Sequence, residues 1–182
     1  MTKILAIAGS LRERSTNKAL LRAAAALAPA GVTVELYDLA PIPLYNGDLD
    51  VDAGPAPVAA FRDAIAGAHG LLIATPEYNF GPSGVLKNAL DWASRPAFQS
   101  ALVRKPVAIL GASPGAVGTA RAQGQLKQIL IGTASLLYPS SEFLCGQSGQ
   151  KFDDDLELVD EGTRERLTKL VAGFAAWIAK QG

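Results

Sequence analysis

The stretch Lys3-Ile-Leu-Ala-Ile-Ala-Gly-Ser-Leu-Arg-Glu-Arg-Ser-Thr-Asn-Lys-Ala-Leu-Leu-Arg-Ala-Ala-Ala-Ala-Leu27 changes character twice. Residues 3–8 are a short apolar run, suited to a buried strand. Residues 18–27 are mostly Ala and Leu, the strongest helix formers. Between them, residues 9–17 carry one Gly, two Ser, a Thr, an Asn and two Arg. Strand, polar junction and helix make the first half of a β-α-β unit.

The same alternation continues along the chain. Strands are expected near residues 32–37, 70–75, 106–111 and 134–138. Helices are expected near 15–28, 56–68, 83–94, 119–131 and 161–180. The run Gly70-Leu-Leu-Ile-Ala-Thr75 is apolar throughout, as in a strand covered on both faces. Ser83 is placed to cap the third helix. A long Pro-, Gly- and Asp-rich loop fills residues 38–55, and an irregular stretch fills 139–155. Strict β/α alternation implies a parallel sheet with helices on both faces. The fold class expected is therefore α/β, three-layer and flavodoxin-like. Its five-stranded parallel sheet has the order 2-1-3-4-5 in one domain spanning residues 1–182.

Such sheets bind ligands at the carboxyl ends of their strands, where strand order reverses. The junction at 9–17 lies at the first such end. A helix N-terminus offers free N–H groups and partial positive charge, which suits phosphate. Ser10 and Ser15 add hydroxyls, Asn17 an amide, and Arg12 or Arg14 a guanidinium. Simple capping by Ser15 beside solvated arginines is the bland alternative. The junction lacks the Gly-Lys-Ser/Thr of a Walker loop and the glycines of a dinucleotide fingerprint. A mononucleotide phosphate fits better.

Two more loops reach the same edge, Pro76-Glu-Tyr-Asn-Phe-Gly-Pro82 and Ala112-Ser-Pro-Gly-Ala-Val-Gly118. A flat heteroaromatic ring fits between them, with Tyr78 packing on it and Asn79 and Ser113 bonding its rim. Gly115 and Gly118 permit close backbone approach. Tyr78 and Phe80 could equally pack in the core or at an interface.

Composition narrows the function classes. The 182 residues are 49% hydrophobic, with formal net charge +0. Neutrality gives no general attraction to nucleic acid or acidic membranes. No apolar run approaches a bilayer-spanning length. The first apolar run stops at Gly9 and meets Arg12, Glu13 and Arg14, unlike an export signal. One cysteine, Cys145, cannot form an intrachain disulfide, which fits the cytoplasm. With only His69 beside it, a transition-metal site is not expected. Asp153-Asp-Asp155 reads as a solvated turn.

The four segments Gly9-Ser-Leu-Arg-x-x-Ser-x-Asn17, Pro76-Glu-Tyr-Asn79, Leu86-Lys-Asn-Ala-Leu-Asp-Trp92 and Gly111-Ala-Ser-Pro-Gly-x-x-Gly118 resemble the NADPH-dependent FMN reductase family. That family includes bacterial quinone, chromate and ferric reductases and azoreductase-like enzymes. The resemblance implies FMN as cofactor and NADPH or NADH as donor. It implies phosphate contacts at Ser10, Arg12, Ser15 and Asn17, with Leu11 and Thr16 also among the cofactor-binding residues. It sets the isoalloxazine ring against Pro76, Glu77, Tyr78, Asn79, Ser113 and Gly115. Glu77 is the exception, since a carboxylate disfavours an anionic reduced ring. It is expected to hold its loop by hydrogen bonds or to meet a partner subunit.

The resemblance also implies a homodimer or homotetramer and small-molecule electron acceptors, with no nucleic acid or membrane partner. Tyr45-Asn46-Gly-Asp48 resembles a segment that approaches a neighbouring subunit's flavin, although Tyr45 also reads as a local anchor. Tyr78 and Arg95 are candidate substrate contacts, with a solvated helix end equally open for Arg95. Arg121 and Glu142 are candidate interface pairs. His69, at the opposite sheet edge, is read as structural. The mechanism expected is ping-pong hydride transfer with no side-chain nucleophile. A flavodoxin-type electron carrier and a protein that hands out reduced flavin remain the alternatives.

Overall fold

A computed structural model describes residues 1–140 and 142–181. The strands are β1 (Thr2–Ala8), β2 (Val32–Tyr37), β3 (Gly70–Ala74), β4 (Pro106–Ala112), β5 (Leu136–Leu137) and β6 (Phe143–Cys145). The helices are α1 (Thr16–Ala26), α2 (Ala56–Ala66), α3 (Gly84–Ala93), α4 (Ala120–Gly132) and α5 (Glu161–Ile178). All strand pairs are parallel, in the order β2-β1-β3-β4-β5, with β6 also on β4. The flavodoxin-like order expected from the alternation is the one observed.

Side-chain alternation explains why the central strands are apolar throughout. Ile4, Ala6 and Ala8 of β1 pack under α1 and α5, through Leu20, Leu21, Phe174 and Ile178. Leu5 and Ile7 face the other way, against Phe61 of α2, Leu86 and Leu90 of α3 and Leu126 of α4. With period two and both faces covered, every position must be apolar. Gly70 opens β3 where an added Cβ would lie 2.7 Å from Ile178 Cδ1.

The fifth strand position is built in two pieces. Pro106 and Val107 pair with Leu136 and Leu137, whereas Leu110–Ala112 pair with Phe143–Cys145. Both pieces lie on the edge of β4 that faces away from β3. From Val107 to Leu110 β4 advances three positions while its partner advances six, from Leu137 to Phe143. Residues 143–145 were expected to be irregular. Three residues carry too little pattern to be recognised alone, and it is β4 that makes them a strand.

Helix starts follow local chemistry. Ser15, Ser83 and Asp160 cap α1, α3 and α5, accepting from the N–H of Lys18, Leu86 and Thr163. Bonds from the Thr163 hydroxyl and the Lys151 ammonium also reach Asp160, and they hold its carboxyl at about 2 against an ordinary 3.8. The depressed pKa sets the sign. The contribution of this cap is complete above pH 4 and fades as pH falls through 2. Asp160→Ala is expected to lower Tm at pH 7, and the gap from the parent protein should close on acidification to pH 2. A gap that stays constant from pH 7 to pH 2 would contradict the assignment.

Candidate functional site

The ends of β1, β3 and β4 lie side by side, and each chain segment leaves through a loop that re-enters a helix. The loops are locked together from behind. The Ser83 hydroxyl caps α3 and donates to Gly9 O, joining the first loop to the second. Gly9 has no room for a side chain, since a Cβ would lie 2.8 Å from Ser83 Oγ and 2.9 Å from Pro76 Cδ. Asn17 joins the first loop to the third. Its Nδ2 donates to Ala112 O and its Oδ1 accepts from Ala112 N, both at 2.9 Å. The Asn17 amide, expected to reach a phosphate, is thus committed mainly to the sheet.

The remaining donors of the first loop converge. Ala19 N–H makes the first helical bond, to Ser15 O, so the N–H groups of Thr16 and Asn17 lie ahead of it without acceptors among the described residues. Ser10 and Ser15 are 4% and 2% exposed. The Ser10 hydroxyl has no intramolecular partner among the described residues, though the residue is buried. The Arg12 guanidinium makes no ion pair there either. Arg14 turns away and donates to Asp154 O, so of the two arginines Arg12 is the one left to meet a ligand.

The third loop is knitted to residues 145–148. Ser113 N–H donates to Cys145 O, Gln147 N–H to Gly115 O, and Ser148 N–H to Ser113 O, all at 3.0 Å. An added Cβ on Gly146 would lie 2.3 Å from Ala116 O. Gly118 takes a left-handed φ of 66°, closing the turn. Residues 145–148 are supports that the sequence did not reveal. Their only signal was a Gly in an otherwise featureless stretch.

The second loop ends in a tight hairpin. Tyr78 and Gly81 exchange both backbone hydrogen bonds, at 3.0 and 3.1 Å. Asn79 and Phe80 sit at φ 49° and 67° at its tip, a primed turn in which Phe is an unusual occupant. Tyr78 and Phe80 are 50% and 63% exposed at the mouth of the site. Neither packs in the core.

Together the loops enclose an open cleft of about 350 Å³. Ser10, Arg12, Ser15, Thr16 and Asn17 line one end. Pro76, Glu77, Tyr78 and Ser113 line the other. Leu11, Asn79 and Gly115 flank the cleft without lining it. A hollow of about 490 Å³ lies between α1 and β2, but Lys18 is its one cation and the free hydroxyls are absent from its lining. Donor chemistry therefore favours the smaller cleft as the candidate site.

Arg95 is not brought to this cleft. It follows the far end of α3, about 15 Å along the helix from Ser83, and its guanidinium stacks 5.8 Å from the Tyr45 ring. Tyr45 is a local anchor, edge-on to Trp92 at 4.8 Å, with its N–H bonded to Asn88 Oδ1. Arg121 and Glu142 find partners within the chain, Glu77 and Lys127. His69 accepts from Lys3 N–H at the opposite edge of the sheet. Cys145 is buried, which pushes its thiol pKa up and leaves it unreactive.

The family model for NADPH-dependent FMN reductase matches residues 2–150. The chain belongs to that family. It is accordingly an oxidoreductase that uses FMN and NAD(P)H. An NAD(P)H-dependent FMN reductase of Pseudomonas aeruginosa is 43% identical over 178 residues, 98% of this chain and 96% of that protein. A 2-hydroxy-1,4-benzoquinone reductase of Burkholderia sp. is 44% identical over 176 residues, 97% of this chain and 96% of that protein. Among solved structures, the flavoenzyme NAD(P)H:(acceptor) oxidoreductase FerB of Paracoccus denitrificans superposes with a TM-score of 0.90 at 35% identity, covering 100% of both chains.

The donor set of this family member suits FMN. A Ser10 hydroxyl that reaches the cleft without a partner among the described residues, a second hydroxyl, two N–H groups ahead of the first helical bond and a guanidinium outside any ion pair match the oxygens of a phosphate monoester. A slot between two backbone loops, with an exposed Tyr at its lip, matches a flat ring.

Proposed function

We propose that the protein reduces quinones at the expense of NAD(P)H through FMN held in the cleft of β1, β3 and β4. Chromate, ferric chelates, azo compounds and free flavin serve as further acceptors. The observation that carries this reading is the cleft itself, with phosphate donors at one end and a slot open to solvent at the other. The relatives named for quinone and FMN reduction, at more than 40% identity, support it.

When bound, FMN supplies the chemistry, taking two electrons from NAD(P)H and passing them to the acceptor. The chain binds and orients. Arg12, Ser10, Ser15 and the N–H groups of Thr16 and Asn17 hold the phosphate. In the 113–118 loop the N–H groups of Ser113, Gly115 and Gly118 are used within the chain, which leaves those of Ala116 and Val117 to meet the ring rim, where they would favour negative charge. Pro76 and Tyr78 form one wall of the slot, whose other side opens to solvent. Glu77, the carboxylate of the cleft, is engaged at the start of α4, and donor and acceptor use the one open side of the slot in turn. Initial rates against a benzoquinone at several fixed NADPH concentrations should then give parallel double-reciprocal lines. Intersecting lines would mean that both substrates bind together and would overturn the ping-pong reading.

An electron-carrier role is the rival reading. Neutral formal charge disfavours it, because carriers meet their partners through acidic surfaces. Sustained NADPH oxidation with quinone separates the two. We place the protein in the cytoplasm, in keeping with its one free cysteine. No helix among the described residues is long and apolar enough to cross a membrane. Assembly as a homodimer or homotetramer accords with the exposed Phe80 and Val117 beside the cleft, 63% and 58% exposed. Light scattering on the eluting protein measures that state directly.

A further inference from the structure

Helix α4 has an unusual cap. Its N-cap residue, Thr119, makes no side-chain cap bond. The Thr119 hydroxyl accepts from Gln123 Nε2 instead. The N–H groups of Arg121 and Ala122 donate to Glu77 Oε2, at 3.0 and 3.1 Å. One carboxylate oxygen from the β3 loop thus closes the start of a helix more than forty positions along the chain. Glu77 Oε1 lies 3.5 Å from the Arg121 guanidinium.

Two further ties run beside it. The Arg121 guanidinium covers the Phe80 ring at 4.7 Å, and Gln125 Nε2 donates to Phe80 O at 3.0 Å. Phe80 at φ 67° is in a left-handed conformation unfavourable for a bulky residue. Such backbone persists where its surroundings hold it, and here α4 holds it. Since α4 begins directly after the 112–118 loop, Glu77 links the two loops that flank the ring slot.

We propose that Glu77 is a positioning residue that sets the width of the flavin slot, and that its charge is directed to α4 rather than to the ring. This inference rests on the FMN reading above. It turns a carboxylate that would oppose a reduced flavin into a strut. Both oxygens are occupied, by N–H groups of positive helix-end character and by a guanidinium. What matters is then the reach of the side chain and one acceptor oxygen, not the negative charge.

Three variants separate reach from charge. Glu77→Gln keeps the length and an oxygen able to accept from both N–H groups, without charge. Glu77→Asp keeps the charge but is one methylene short. Glu77→Ala loses both. FMN affinity by fluorescence quenching, circular dichroism of the bound flavin band and midpoint potential would be measured on each, with far-ultraviolet spectra to confirm folding. Glu77→Gln is expected to match the parent protein in affinity, flavin dichroism and potential. Glu77→Asp and Glu77→Ala are expected to bind FMN about tenfold more weakly, with altered dichroism.

Parent-like affinity and dichroism in Glu77→Asp would overturn the strut. A raised potential in Glu77→Gln would show the carboxylate acting on the ring and overturn the charge assignment. Failure of the parent protein itself to bind FMN would overturn the flavin reading, and the strut with it, before any variant was compared.

Discussion

Arg12→Ala/Ser15→Ala is expected to lose FMN on gel filtration and, with it, NAD(P)H-dependent turnover. Arg12 is exposed and unpaired, so its removal costs the fold little while deleting a guanidinium from the phosphate site. Ser15 contributes twice, as a hydroxyl in the cleft and as the α1 cap at 3.3 Å from Lys18 N–H. Each charge-assisted bond to the phosphate is worth about 1.5–3 kcal/mol. Losing two weakens FMN binding by about two to four orders of magnitude. Arg12→Ala alone should retain the parent Tm, whereas Ser15→Ala lowers it by loss of the cap. One FMN per chain eluting with the double variant would show that the phosphate lies elsewhere.

Gly146→Ala is expected to damage the ring slot from behind. Its new Cβ would lie 2.3 Å from Ala116 O, 2.9 Å from Ala116 C and 3.1 Å from Gly115 O. All three are backbone atoms, so no side chain can rotate away. The 113–118 loop must shift, at a cost of about 1–3 kcal/mol, and the bonds from Ser113 and Gln147 that fix it are strained together. The variant should therefore show a lower Tm and weaker FMN binding. Gly149→Ala is the matched control, since nothing lies within 4 Å of its added Cβ. Equal behaviour of the two variants would contradict the close approach of residues 145–148 to the third loop.

Much of this architecture was legible because short-range signals and burial agree. The apolar runs of β1, β3 and β4 reflect strands covered on both faces, and Ser83 announces α3 through its cap. The phosphate end of the site was legible for a related reason. Free N–H groups occur wherever a helix begins, and the surrounding residue types reveal what they meet.

Other features were hidden because they depend on residues distant in sequence. Phe143–Cys145 become a strand only against β4. Asn17 looks like a ligand donor, yet its amide bridges to Ala112, ninety-five positions away. Glu77 reads as a carboxylate that ties its loop by hydrogen bonds, as it does, but only the fold shows that the tie runs to Arg121 and Ala122. Arg95 is adjacent to a motif in sequence, but the length of α3 carries it away from the cleft. Residue type alone suggested what each side chain can do, and the tertiary partner decided which of those capacities is used.

The most direct test of the FMN site is an anaerobic titration of the FMN-loaded protein with NADPH, after removal of free flavin. The visible flavin band should stay with the protein and bleach completely at one equivalent of NADPH. It should return on addition of a benzoquinone. Flavin that is retained but remains oxidised under NADPH would contradict the reductase reading. Flavin that does not stay with the protein would contradict a cofactor held at Ser10, Arg12 and Ser15.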